Sequence, residues 1–504
     1  MNKLSWGSGS TRTIMYRSAS LVKDGYDVSI LTLQDVNNDK KAKNLRESGR
    51  LDSKVKTSNV YEDYQKRNTK GDVTRKQKRY YKKSAKIKER KLKIKTNKTK
   101  NTVKYYKDDK LLKLKKWRKN GTLSYIDYYN DNKKKAVREK FHSRRYITKK
   151  TFYAPDSGKE MHIQYFTPDG FCFLDSWSSE YMDTYKHFLH DRSNNTVQRF
   201  KDDDEFYTDW LNLLCSEESE KPFIICDKRE TAISVMNMDP DNSHKIHVIH
   251  RNHFKHPFTP GSSIKTKEKR VLDRIKEHDA VVLLTEKQKV DVINEFGDYG
   301  NIRVIPHSIP HVSDEKVEKD DKTVSMVARL HDTKQTPKTI EAFQRVVQEI
   351  PDAKLELYGT GELKESLEKQ IHELNLDQNV FLKGYARNTD KVYQKSLFTL
   401  LTSKYEAFSL VILESMFNGT PVISFDINYG PSDIIKDKED GYLIKQDFQM
   451  LSDKILELLN NPEKAREMGR MAKINAEKHF NENVVMEKWE DLFSELKKKD
   501  HLNV

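Results

Sequence analysis

The sequence predicts an α/β protein of two doubly wound domains, with an antiparallel sheet inserted into the first. Three observations carry this. Short apolar, β-prone runs alternate with helical stretches towards both ends of the 504-residue chain. From about residue 70 to 205 that alternation gives way to strand-like runs separated by turn signals. Nearly all the excess positive charge falls inside the same stretch.

In chain order, the first piece reads as a helix over Arg12–Lys23, the turn Asp24-Gly25 and a strand over Tyr26–Leu33. The turn signals Asn120-Gly121, Asn130–Asn132, Asp156–Gly158 and Pro168-Asp169-Gly170 then mark successive hairpins. Strands resume at Phe223–Cys226, Lys245–Ile249, Ala280–Leu284 and Ile302–Ile305. The second α/β unit opens at Thr323–Val327. It continues through helix Thr336–Gln348, strand Lys354–Tyr358, helix Leu363–Glu373 and strands Val380–Lys383 and Leu397–Thr402. Helix Leu410–Asn418 and strand Thr420–Phe425 follow, and helices dominate from Phe448 onward. The expected divisions are 1–68 and 211–316 for the first α/β domain, 69–210 for the inserted sheet, 317–480 for the second domain and 481–504 for a closing helix. Two such domains facing a cleft hold ligands at the carboxyl ends of their strands.

A doubly wound domain ordinarily begins with a buried strand feeding a Gly-rich turn. Here only Met1–Trp6 precede Gly7-Ser-Gly-Ser-Thr-Arg12. The expectation is a first strand that has been lost or begins upstream, with truncation the preferred explanation.

Formal net charge is +16. Lys66–Lys150 holds 34 Lys and Arg against 7 Asp and Glu, a balance of +27, which leaves the remainder at −11. A charge run is ordinarily a solvated face or tail. This one is threaded with Tyr80, Tyr81, Tyr105, Tyr106, Trp117, Tyr125, Tyr128, Tyr129, Phe141 and Tyr146, which points to a folded basic sheet that binds a polyanion. Charge alone leaves nucleic acid, anionic lipid and a phosphate-repeat polymer open. No nucleic-acid-binding motif accompanies it.

Cys172, Cys215 and Cys226 fit neither a disulfide framework nor zinc-ligand spacing, so a reducing compartment is expected. Met1–Ser20 lacks the apolar core of a signal peptide, and apolar runs such as Ala280–Leu284 are far short of the roughly 20 residues that span a bilayer. The expectation is a cytoplasmic protein, with a membrane surface still available to it.

The segment Ser403-Lys-Tyr-Glu406-Ala-Phe-Ser-Leu-Val-Ile-Leu-Glu414 carries the most chemistry. Glu406 follows a buried strand and Glu414 lies early in the next helix. Ser409, Leu410 and Val411 open that helix, where free N–H groups and a partial positive charge suit a diphosphate. Two glutamates eight apart are common by chance; the strand-loop-helix-Asn418-Gly419-Thr-Pro421-strand setting makes the pair specific. Arg329 and Lys334, just past Thr323–Val327, suit the developing charge of a leaving diphosphate. His250 and His253 end a β-type run. Gly9 sits where backbone can approach a ligand closely. Gly384-Tyr385 follows another strand, and Tyr385 there serves either a donor base or packing. Asp202-Asp203-Asp204 reads as a solvated loop or helix cap, and protein cations stand in for a metal.

Residues 300–500 resemble the retaining GT-B glycosyltransferases, which carry the Glu-x7-Glu motif. The resemblance implies that Glu406 faces the transferred sugar, Glu414 holds the donor ribose, Ser409–Val411 contact the phosphates, Arg329 and Lys334 neutralise the leaving group, and His250 faces the donor sugar. More narrowly, Gly9–Ser18, Leu45-Arg-Glu-Ser-Gly49, Tyr125–Asn130, Val248-Ile-His250, Phe381–Tyr385, Glu406–Glu414 and Asp426–Gly430 resemble the bacterial wall teichoic acid α-glycosyltransferases. That family implies transfer of glucose or N-acetylglucosamine from UDP-glucose or UDP-N-acetylglucosamine to poly(glycerol-phosphate) or poly(ribitol-phosphate), without a metal. It also implies a homotrimer whose inserted sheet binds the polymer. Lys113, Lys115, Lys116, Arg118 and Lys119 are the acceptor-binding cations this suggests, with His253 beside them. Departures are the missing strand, and Ala407 and Ser409 where glycine is frequent. A serine-rich protein acceptor, or a polyanion-binding scaffold with a dead cleft, are the rival readings.

Overall fold

The computed structural model describes residues 9–35, 38–179, 184–309 and 317–502. The second α/β lobe is a six-stranded parallel sheet in the spatial order Val380–Gly384, Lys354–Tyr358, Asp320–Val327, Ser396–Leu401, Val422–Phe425, Gly441–Ile444. Every residue of Ser396–Leu401 and of Val422–Phe425 is buried, as a strand covered by helices on both faces requires. Helix Thr336–Glu349 lays Thr336, Thr339, Ile340, Phe343 and Val346 against this sheet at helical spacing. The strand order reverses between Asp320–Val327 and Ser396–Leu401. The crevice above their carboxyl ends is therefore the switch point of a doubly wound sheet.

The first lobe has four parallel strands in the order Phe223–Cys226, His244–Val248, Ala280–Leu283, Ile302–Val304. A separate parallel pair joins Ser29–Thr32 to Lys56–Asn59. Between Ser29–Thr32 and Phe223–Cys226 lies a cavity of about 360 Å³, lined by Ile14, Leu21, Ile30, Ile224 and Val235 among others. Met1–Trp6, where the expected first strand is missing, lie outside the described residues.

The inserted sheet has ten antiparallel strands, each paired with its neighbours in sequence, from Lys93–Asn97 to Thr196–Phe200. The four hairpin signals fall between consecutive strands, with Gly121, Gly158 and Gly170 at positive φ. The expected start near residue 70 is corrected: Arg75–Ser84 is a helix, capped by Thr74, whose Tyr81 packs with Leu123, Ile126 and Phe141 on the sheet. Helices Asn38–Glu47 and Val60–Arg67 were also not anticipated. Their largely polar sequences bury only narrow faces. Asp202 caps helix Asp203–Ser216, accepting from the Glu205 amide at 2.9 Å.

Helix Glu482–Leu502 returns from the second lobe to the first. Phe493 stacks on Phe223 with ring centroids 4.4 Å apart, and Arg17 lies 4.8 Å from the Trp489 ring. One core cluster thus runs through Val248, Phe408, Ile412 and Trp489 and fastens the lobes together. Among the described residues, no helix is long and apolar enough to cross a membrane.

His247, His253 and His278 of the first lobe are buried neutral, and burial holds His307 neutral as well. Burial pushes His247 down to about 3 and His253 and His278 to about 4, so the unfolded chain takes up protons that the fold refuses. The contribution of these three groups should be level above pH 6.5 and be lost as pH drops from there towards 4. A melting temperature unchanged between pH 7 and pH 4.5 would contradict this.

Candidate active site

The switch point brings two loops together. The Lys404 amide donates to the Thr333 carbonyl at 2.8 Å, and Gln335 Nε2 donates to the Thr402 carbonyl at 2.8 Å. This sets Lys334 beside Glu406. Lys334 Nζ bonds the Glu406 carboxylate, and Ser403 Oγ donates to Glu406 Oε1 at 2.7 Å. Both side chains are about five-sixths buried, a depth at which an unpaired carboxylate would be costly. Arg329 lies in the first of these loops and is exposed. Gly359 and Gly361 back this loop so closely that a Cβ would stand 1.8 Å from the Ala328 carbonyl oxygen and 2.0 Å from that of Leu330.

Ser409 opens helix Leu410–Phe417 in the left-handed region, at φ 74° and ψ 68°. That explains why glycine is frequent at this position in the resembling family: only glycine adopts such angles without strain. The Ser409 hydroxyl caps nothing and is buried without a hydrogen-bond partner. It lies at a helix start whose first N–H groups have no partner within the helix. Gly430 presses on the same turn, where a Cβ would meet the Phe408 carbonyl oxygen at 2.1 Å.

Glu414, one helical turn further on, is buried. Its Oε2 accepts from the Tyr393 hydroxyl at 2.9 Å and its Oε1 from Arg12 at 2.7 Å. Arg12 belongs to helix Gly9–Lys23 of the first lobe, so this contact spans the cleft and brings the helix that Gly9 begins to its rim. Phe258 against Tyr405, with centroids 3.9 Å apart, and Asn252 Nδ2 donating to the Asn428 carbonyl at 3.1 Å span it too.

His250 lies in the first lobe with both ring nitrogens engaged: Nε2 with Asp227 at 2.9 Å and Nδ1 with His307 at 3.3 Å. Asp227 also accepts from Arg17 at 2.6 Å. Burial favours its neutral form, but Arg17 and His250 hold its carboxyl well below the usual carboxylate range. The ring of His250 is thus held inside a network, and meeting a sugar would require releasing a partner. The expectation of His253 beside an acceptor does not fit its position. His253 is wholly buried beside Gln288 and Tyr429 and cannot reach an acceptor. Tyr385 is two-thirds exposed at the end of strand Val380–Gly384.

Of the five expected sheet cations, three are structural. Lys115 is buried, bonding the Ser84 and Lys86 carbonyls and Glu89; Lys113 also pairs with Glu89; Arg118 bonds the Leu123 and Phe141 carbonyls. Lys116 and Lys119 keep accessible surface. Register adds what spacing could not. Lys116, Tyr125, Lys140 and Lys149 oppose one another across four adjacent strands, forming a row on one face. The row ends at Lys149, which pairs with Asp35 of the first lobe at 2.6 Å.

Comparison with known proteins bears on this geometry. The family described as glycosyl transferases group 1 matches residues 310–475, which include both loops and Glu414. The poly(ribitol-phosphate) alpha-N-acetylglucosaminyltransferase of Staphylococcus aureus is 29% identical over 498 residues, 96% of this chain and 97% of its own length. The crystal structure of a mutant S. aureus TarM, in complex with fondaparinux, alpha-GlcNAc-glycerol and UDP, superposes with a TM-score of 0.84. It shares 26% identity, with 98% of both chains covered. This chain is similar to the bacterial wall teichoic acid α-glycosyltransferases and has the GT-B fold. The poly(glycerol-phosphate) alpha-glucosyltransferase of Bacillus subtilis, also 29% identical, matches 73% of this chain, which spans only 55% of that protein's length.

Arg12, Tyr393, Asp227 and His307 were not singled out from the sequence, since each gains significance only through a partner distant along the chain; Ser403 was also missed, although its partner Glu406 is three residues on. Gly430→Ala should drive Phe408 and Ser409 from their turn and cost about 2 kcal/mol or more. Denaturant midpoints of the variant and the parent chain measure this; equal midpoints would show that the turn tolerates the displacement.

Proposed function

We propose that the chain transfers glucose or N-acetylglucosamine, with retention, from a UDP-sugar to hydroxyls of a poly(glycerol-phosphate) or poly(ribitol-phosphate) wall teichoic acid. The observation that carries this is the cluster at the switch point. The orphaned hydroxyl of Ser409 and the helix start at Leu410 and Val411 suit a diphosphate, Glu414 suits a ribose, and Glu406 is fixed by Lys334 and Ser403.

In this reading Glu406 orients the sugar hydroxyls. Its carboxylate is committed to Lys334 and Ser403, which leaves it poorly suited to attack the anomeric carbon. The acceptor oxygen bonds to that carbon on the face from which the diphosphate departs, and its proton passes to the departing phosphate oxygen. Arg329 and Lys334 neutralise the charge that develops there. Tyr385 frames the donor base, and Gly9 lets the first-lobe backbone approach the donor. No step calls for a metal. The protein works as a homo-oligomer, a trimer, in the cytoplasm at the inner face of the membrane.

Glu406→Ala should abolish transfer in a donor screen with both polymers while leaving the melting curve within a few degrees of the parent's. Proton NMR of the new linkage should show an α-anomer. Retained turnover removes Glu406 from the mechanism, and a β-anomer removes retention.

The inserted sheet gives this reading its acceptor. A row of cations spaced across strands fits a polymer that repeats its phosphates, and each contact is weakened by salt. Replacing Lys116, Lys119 and Lys140 together by Gln should weaken polymer binding and flatten its dependence on salt. An unchanged slope would mean that the polymer does not follow this face.

A further inference from the structure

The donor reading above leaves Glu414 with a difficulty. Its side chain is 7% exposed and both of its oxygens are already bonded, Oε2 to Tyr393 and Oε1 to Arg12. A ribose diol offers hydroxyl donors and needs at least one of these acceptors. Tyr393 cannot give way easily: it is 1% exposed, lies in the same lobe, and its hydroxyl is pushed well above the usual range by burial and by Glu414 itself. Arg12 can. Its side chain is a third exposed and it comes from the opposite lobe. Oε1 is thus the oxygen able to change partners, and the partner it would lose is a cation on the first turn of a helix at the cleft rim.

We propose that Arg12 is a donor-responsive clasp: it holds Glu414 across the cleft, yields it to the ribose hydroxyls, and passes its guanidinium to the donor diphosphate. The exchange trades one charge-assisted hydrogen bond for another, so neither the carboxylate nor the guanidinium is left without a partner. The diphosphate is expected at the start of helix Leu410–Phe417, one turn from Glu414, within the range of a long side chain that has just let Glu414 go. Arg12 acts here as a positioning residue in the ligand-free cleft and as a phosphate contact once the donor is bound. This inference rests on the reading of Glu414 as the ribose acceptor.

Calorimetric titration of the full chain with uridine and with UDP tests it, using R12A, and R12Q should R12A fail to fold. Uridine has a ribose but no phosphate, so losing the competitor should tighten its binding about threefold or more. The extra affinity of UDP over uridine should shrink about tenfold, because the cation that meets the diphosphate is gone. Arg12→Lys should keep much of that extra affinity, since it keeps the charge. A residue that merely stabilised the fold would weaken both ligands alike. Uridine binding that fails to tighten, or an unchanged ratio of UDP to uridine affinity, overturns the clasp. Failure of the parent chain to bind either ligand overturns the donor reading instead.

Discussion

A carboxylate buried in this cleft needs a cation beside it, and much of the site's architecture follows from that constraint. Asp227, Glu406 and Glu414 all lie largely out of solvent, and each is held by a cation: Arg17, Lys334 and Arg12. The first pair lies within one lobe, the second joins two loops of the other lobe, and the third joins the lobes. Packing alone would let the two sheets meet at many angles. The contacts of Glu414 with Arg12 and of Phe258 with Tyr405 restrict them.

Around that constraint the backbone is arranged to bring chain segments closer than side chains would allow. Gly359 and Gly361 press against the loop carrying Arg329, and Gly430 presses against the turn carrying Ser409. These contacts support a site built on loops with rigid parallel strands beneath. Ser409 in a left-handed conformation, with an unpartnered hydroxyl, marks where the protein keeps strain and an unsatisfied polar atom. Such features persist where a ligand or a surrounding framework compensates them.

The inserted sheet separates two uses of positive charge. Lys113, Lys115 and Arg118 spend theirs inside, on Glu89 and on backbone carbonyls, and so hold the segment Ser84–Glu89 and the neighbouring strands in place. Lys116 and Lys140 belong to a row that runs over strand after strand towards the first lobe. Alternation along a strand decides which lysine does which. Neighbouring residues point to opposite faces, so Lys115 is buried while Lys116 is not.

The sequence by itself determined the α/β class, the hairpin order of the central insertion, the charge imbalance, and the Glu406–Glu414 segment in its strand-loop-helix setting. These are local signals: turn residues, apolar periodicity, and spacing within a dozen positions. It also supported the family resemblance, because that was carried by contiguous motifs. Only the tertiary structure decided which of these residues stand free and which are already committed. Lys334 on Glu406, Arg12 on Glu414, His250 between Asp227 and His307, and His253 sealed beneath Tyr429 all join positions tens to hundreds of residues apart. A hydrogen bond or an ion pair depends on separation in space. No pattern along the chain encodes that separation until the two sheets have closed on each other.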